Sequence, residues 1–254
     1  RINSMGQDGD TFIGGRIIGR DIEVIGHIRE RDKTLIQMHR RNLNHVLNPH
    51  FAATLTYERG SYQRVIPCQV DTAPIIKRCV IFEQFTLQLA CLNPFWREPS
   101  DTREEIAAWG GGFEFPYPEG LELPGNEEWE IGWRQPSLIV NVLNNGDVKT
   151  GMRLEMRANG IVEAPSLVNI NTGASLKLDL AMIAGDVVQI NTRYGEKSVS
   201  LTSGGVTSDA FRYLAAGSTF LQLDVGDNLI RYDADLNIEN IEVTIWHNDL
   251  YLGV

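Results

Sequence analysis

The chain has 254 residues, with 43% hydrophobic and 22% charged side chains, a balance that excludes a disordered tail, a collagen-like repeat and a disulfide-stapled miniprotein. Lys and Arg number 23 against 33 Asp and Glu, so the formal charge is −10 and the basic footprint that grips phosphates is missing; nucleic acid is not an expected partner. No apolar run approaches the ~20 residues of a membrane-spanning helix and no signal-peptide pattern opens the chain, so no membrane partner is expected either.

The charge is unevenly placed. Residues 1–109 hold 14 Lys/Arg and 13 Asp/Glu, net +1, whereas residues 110–254 hold 9 and 20, net −11, which predicts two units with different surfaces. The chain opens at Arg1 without an initiator methionine, and an N-terminal segment is expected to be missing.

In the first unit, Arg16–Ile28 alternates apolar and polar residues through Ile18, Ile22, Val24 and Ile28, the period of a half-buried strand. Asp32 stands where a helix N-cap belongs. Leu35, Ile36, Met38, Leu43, Val46 and Leu47 then share one wide face at ~100° per residue. Asn48-Pro49 ends that helix, because a residue before proline is driven out of the helical region. Ala53–Tyr57, Gln63–Val70 and Val80–Leu92 read as strands, and Thr102 with Glu105 has capping-box spacing for a short helix over Thr102–Trp109.

Glycines and prolines then crowd from Trp109-Gly110-Gly111-Gly112 through Pro116, Pro118 and Pro124 to Pro136, too densely for a helix or a central strand. The expected organisation is a first domain at 1–111, a linker at 112–136 and a second domain at 137–254. The second is almost purely β: Leu138–Val142, Met152–Met156, Leu167–Asn171, Leu176–Leu180, Val187–Thr192, Ser198–Leu201, Thr219–Leu223, Asn228–Tyr232 and Ile241–Trp246. Turn signals such as Asn145-Gly146-Asp147, Thr172-Gly173 and Gly226-Asp227-Asn228 separate them, as in an antiparallel sandwich.

Chemistry is sparse. Cys68, Cys79 and Cys91 are odd in number and lack CxxC spacing, so they are expected as reduced thiols behaving as small hydrophobes. His39 and His45 lie about 240° apart on a helix, His50 follows the Pro49 break, and His27 and His247 are isolated; no metal site is expected. Asp8-Gly9-Asp10 lacks a calcium loop's closing glutamate, since Gly19 stands there, and a turn accounts for it. Gly14-Gly15 with Gly19 is not a dinucleotide fingerprint, and no P-loop or GxSxG elbow occurs, so neither cofactor nor catalytic residue is expected. Glu127-Glu128-Trp129-Glu130 with Trp133 pairs carboxylates with aromatic platforms, the materials of sugar binding or glycoside cleavage. Adjacent residues in an irregular segment do not face one another across a cleft, and tryptophans docking a linker explain the cluster better.

These motifs, in this order, resemble the siphovirus-type phage tail family, and within it the distal tail proteins. The resemblance rests on Arg16–Gly26, Val46-Leu47-Asn48-Pro49, Leu89-Ala90-Cys91-Leu92-Asn93-Pro94-Phe95-Trp96, Asn144-Asn145-Gly146-Asp147 and Ala164-Pro165 with Asn171-Thr172-Gly173. It continues through Gly185–Thr192, Gly195-Glu196-Lys197, Gly226-Asp227-Asn228 and Tyr251-Leu252-Gly253-Val254. It implies a mainly β protein: a split β-barrel or sandwich belt domain with one helix, followed by a galectin-like antiparallel sandwich. The implied function is a structural, non-enzymatic hub, a homohexameric ring at the distal end of the virion tail that joins the tail tube to the baseplate or tail fibre, made in the bacterial host cytoplasm. Ala164-Pro165 departs from the family's Asn-Pro. The alternatives are a carbohydrate-binding or host-adhesion module presenting Trp129 and Trp133, and a glycoside hydrolase fragment using Glu127, Glu128 or Glu130.

Overall fold

The computed structural model describes residues 14–78, 82–106, 109–111, 132–134 and 139–254. The chain forms β1 (Arg20–Ile28), α1 (Lys33–Val46), β2 (Ala52–Arg59), β3 (Tyr62–Val70), β4 (Ile75–Arg78), β5 (Glu83–Cys91), β6 (Trp96–Arg97), β7 (Thr102–Glu105), β8 (Trp109–Gly111), β9 (Gly132–Arg134), β10 (Ile139–Asn144) and β11 (Thr150–Ala158). It continues with β12 (Val162–Glu163), β13 (Ser166–Asn169), β14 (Ser175–Lys177), β15 (Ala181–Met182), β16 (Val187–Asn191), β17 (Ser198–Ser203), β18 (Val206–Asp209), β19 (Gln222–Leu223), β20 (Gly226–Asp233), β21 (Ile241–His247) and β22 (Leu250–Tyr251). Two single-turn 3-10 helices lie at Phe211–Tyr213 and Ile238–Asn240. The protein is mainly β, its strands pair antiparallel, and no sheet among the described residues closes into a barrel.

Two compact units result: residues 1–99 with 251–254, and residues 100–250. The second is therefore an insertion in the chain of the first. By these bounds the first unit carries 13 Lys/Arg and 10 Asp/Glu, net +3, and the second 10 and 23, net −13, so the division of charge is sharper than the sequence boundary suggests.

The first unit is a sheet ordered β1-β5-β3-β6-β22, with β2 also on β3 and β4 also on β5. β1 pairs with β5 along its whole length, from Arg20 opposite Cys91 to Ile28 opposite Glu83. β3 meets β5 only at Gln69–Ala90 and Val70–Leu89 before Val65 turns to Arg97 of β6. Proline explains the change of neighbour. The N–H of Asp71 donates to Gln88 O at 3.0 Å, so alternate residues of this strand point their N–H at β5, and Pro67 falls in that series with no N–H to give. Ile66, Cys68, Val70, Leu87, Leu89, Cys91 and Trp96 form the core.

The second unit stacks the sheet β10-β20-β13-β14 against β18-β17-β16-β11-β21-β7, with β19 attached to β11. Its inward side chains, among them Met152, Leu154, Met156, Ile190, Ile230 and Ile245, are fully buried in one cluster. One expected element is corrected. Thr102–Glu105 is not a helix but β7, with Thr102, Arg103, Glu104 and Glu105 opposite His247, Trp246, Ile245 and Thr244 of β21. Pairing with a central strand, and burial of Ile106 behind it, outweighs a local capping pattern.

Candidate interaction surfaces

α1 begins as its sequence dictates, with the Asp32 carboxylate accepting from Thr34 N–H at 2.7 Å. It ends at Asn48-Pro49, where the Asn48 side chain accepts from His50 N–H at 3.0 Å. Its apolar residues are split between two directions. Ile36 and Leu43 lie about 20° apart on the helical wheel and are half-buried, and Leu47, which follows on the same side, packs on the core. Leu35 and Val46 lie roughly 60–100° away and Met38 about 150° away, and they are 38%, 73% and 48% exposed. No residue of the helix is fully buried. One chain therefore covers only one of the two apolar stripes, and Met38 and Val46 face solvent beside His39 and Asn42.

The same unit has an open cleft of about 430 Å³ bordered by His50, Ala52, Pro67, Cys68, Gln69 and Leu92, at the place where β3 and β5 part. Near β6, Arg64 lies over the Tyr62 ring at 4.5 Å and the Tyr251 ring at 4.1 Å, and pairs with Glu98 at 3.3 Å. Tyr251 packs on the first core, and Arg20 donates to Leu252 O at 2.9 Å, so the last residues of the chain are built into the unit that the first residues begin.

In the second unit the buried polar groups hold turns. Asn228 Oδ1 accepts from Asp224 N–H at 2.8 Å, while its Nδ2 donates to Asp224 O at 2.7 Å and Gly226 O at 2.9 Å. Asn144 Oδ1 accepts from Gly146 N–H at 2.9 Å, and its Nδ2 donates to Val148 O and Leu223 O. A Cβ on Gly146 would stand 2.6 Å from Leu250 O, so only glycine fits. Asp101 accepts from Arg193 at 2.7 Å and from Asn248 at 3.2 Å. Burial pushes its carboxyl upward, but those hydrogen bonds and the Arg193 and Arg153 charges prevail and hold it below the usual aspartate value. On the outer face of β21, Trp246 has Arg153 at 4.7 Å from its ring centroid and Arg103 at 5.9 Å.

The residues singled out in the sequence fall on separate elements. His27 meets the Phe82 ring edge-on at 4.8 Å, His39 and His45 are exposed on α1, and His50 borders the cleft. His247 is buried with its Nδ1 3.4 Å from Asp249 Oδ1. Among the described residues no three His, Cys, Asp or Glu side chains gather as a metal would require. Gly14, Gly15 and Gly19 precede or join β1 rather than a helix. Glu127, Glu128, Trp129 and Glu130, with Asp8, Gly9, Asp10 and Cys79, lie outside the described residues; Trp133 falls in β9, opposite Gly110. Cys68 and Cys91 are buried free thiols, both pushed up by burial. The exposed stripe on α1 was inside the wide apolar face read from sequence, but the period alone could not divide that face between covered and uncovered halves.

Residues 2–91 match the phage tail protein RIFT-related domain, and residues 145–251 match the C-terminal domain of the siphovirus-type tail component. The chain belongs to the siphovirus-type distal tail protein family. Its fold is similar to that of the Dit (gp 19.1) protein of SPP1, a paradigm of hub adsorption apparatus in Gram-positive infecting phages, at 13% identity and TM-score 0.70 over 98% of this chain and 86% of that one. It is also similar to a chain of the phage P2 baseplate in its activated conformation with Ca, at 12% identity and TM-score 0.51 over 98% and 85%. No curated protein matches the chain. Among the described residues no helix is long and apolar enough to cross a membrane.

Proposed function

We propose that this chain is a passive hub subunit at the distal end of a phage tail, whose first unit closes with copies of itself into a hexameric belt and whose acidic second unit stands outside the ring contacts. The ring joins the tail tube to the baseplate or tail fibre, and the protein transforms no substrate. The observation that carries this reading is the uncovered stripe Leu35, Met38 and Val46 on α1, in a unit of small net charge. An amphipathic helix with apolar side chains left in water is completed by a protein surface, and a head-to-tail contact of one patch with a different patch generates a ring when the rotation closes. A net charge of +3 lets six copies meet with little repulsion, whereas −13 on the other unit disfavours crowding. Membership of the distal tail family and the SPP1 and P2 fold likenesses support the same reading.

The test is negative-stain imaging of the protein alone and co-expressed with its tail-tube and baseplate neighbours. Sixfold rings are expected. Particles without rotational symmetry in both preparations would sink the proposal.

A further inference from the structure

We propose that Cys68 and Cys91 are the two halves of an oxidisable pair that staples β3 to β5 with a disulfide when the protein meets an oxidised thiol compound. The argument begins with register. Asp71 and Gln88 form a bonded pair, and Val70–Leu89 and Gln69–Ala90 are the next two partners. Continued one step past the last pair, Gln69–Ala90, that register brings Cys68 opposite Cys91. In an antiparallel ladder bonded and non-bonded pairs alternate, so this step falls on a non-bonded pair, where Cα atoms stand ~4.5 Å apart and side chains are closest. That separation lies inside the ~4.4–6.8 Å range a disulfide spans. Both side chains point to the same face, since Cys68 and Val70 on one strand and Leu89 and Cys91 on the other are all in the first core. The position lies one step beyond the last pair of the ladder, Gln69–Ala90, beside Pro67, which has no N–H to give β5, and the strands have room to adjust as the bond forms.

Access is unequal. Cys68 borders the open cleft and is 7% exposed, whereas Cys91 is 1% exposed. Cys68 is therefore the attacking thiol. Its thiolate attacks one sulfur of oxidised glutathione, the glutathione S–S bond breaks, and one glutathione thiolate leaves. Cys91 then gives up its proton to solvent and attacks the Cys68 sulfur, expelling the second glutathione thiolate. Two protein thiols are oxidised and one glutathione disulfide is reduced to two thiols. Burial raises both thiols, and the neighbouring Cys68 raises Cys91 further, so little thiolate is present and the exchange is slow. The staple strengthens the unit whose core is the smaller, seven buried hydrophobic residues against 22 in the second unit, among those described.

The test uses the full chain with Cys79→Ser, because trypsin leaves Cys79 and Cys91 on one peptide between Arg78 and Arg97. After incubation of the folded protein with oxidised glutathione, the expected results are a mass lighter by two hydrogens and no titratable thiol in denaturant. A tryptic cross-link between the Cys68 and Cys91 peptides and a melting transition raised by roughly 10 °C, reversed by a phosphine reductant, should accompany them. Adding Cys91→Ser should halt the reaction at a glutathione adduct on Cys68. The wild-type chain digested with chymotrypsin, which cuts between Cys79 and Cys91, gives the same reading without the first substitution. Two thiols still titratable after the folded protein has been treated, a glutathione adduct that Cys91 never displaces, or a link formed only between chains would each overturn the proposal.

Discussion

Ala164 has φ +48°, in the left-handed region where a Cβ is disfavoured. The backbone holds it there because its N–H donates to Leu180 O at 2.9 Å and Pro165 O accepts from Leu178 N–H at 3.0 Å, closing the turn from both sides. Asparagine tolerates this conformation better than alanine, so Ala164→Asn should stabilise the second unit by about 0.5–1 kcal/mol, read as a higher urea midpoint at unchanged slope. No change, or a loss, would show that the turn does not strain the chain. Asp101 supplies a prediction in pH. Its folded pKa lies below the ordinary value, so its contribution is fully present above about pH 4, the unfolded aspartate value, and is lost as pH falls through the folded value. Arg193→Gln removes the main partner, and the urea midpoint of that variant should fall less than the wild type's between pH 7 and pH 3. Parallel acid profiles would show that the pair carries no such linkage.

At the scale of elements, α1 shows what periodicity can and cannot tell. Asp32, the apolar spacing and Asn48-Pro49 are all local signals, and the helix runs Lys33–Val46 as those signals require. The strands of the second unit were legible for the same reason: turn residues punctuate them, and Gly173 at φ +72° and Gly226 at φ +90° occupy conformations that favour glycine. β7 was not legible, because its strand character comes from a partner about 140 residues away and its own sequence carries a capping box. The short pairs β12–β15 and β17–β18 were missed in part for the same reason, since two to four residues carry too little alternation to register. The candidate surface was half legible: its residues were named, their exposure was not. Replacing both Met38 and Val46 by Glu tests that surface. Because both face solvent, the melting temperature should hold to within ~0.5 kcal/mol of stability while the oligomer seen by mass photometry falls apart. Rings that survive the double substitution would remove α1 from the contact.

At the scale of the whole molecule, the chain leaves the first unit after Pro99 and re-enters it at Tyr251. The first unit is therefore complete only when the end of the chain is present, whereas the second unit is contiguous and holds the larger core. The returning end is held by Tyr251 packed on the first core, the Arg64 guanidinium over its ring, the Arg20 hydrogen bond to Leu252 O and the pairing of β22 with β6, among other contacts. Deleting residues 251–254 should lower the stability of the first unit by about 2 kcal/mol, the scale of one buried aromatic side chain, and leave the second unit as it was. Scanning calorimetry would separate the two cases: an earlier transition for the first unit beside an unmoved one for the second supports the inserted arrangement. A common shift of both, or of neither, contradicts it.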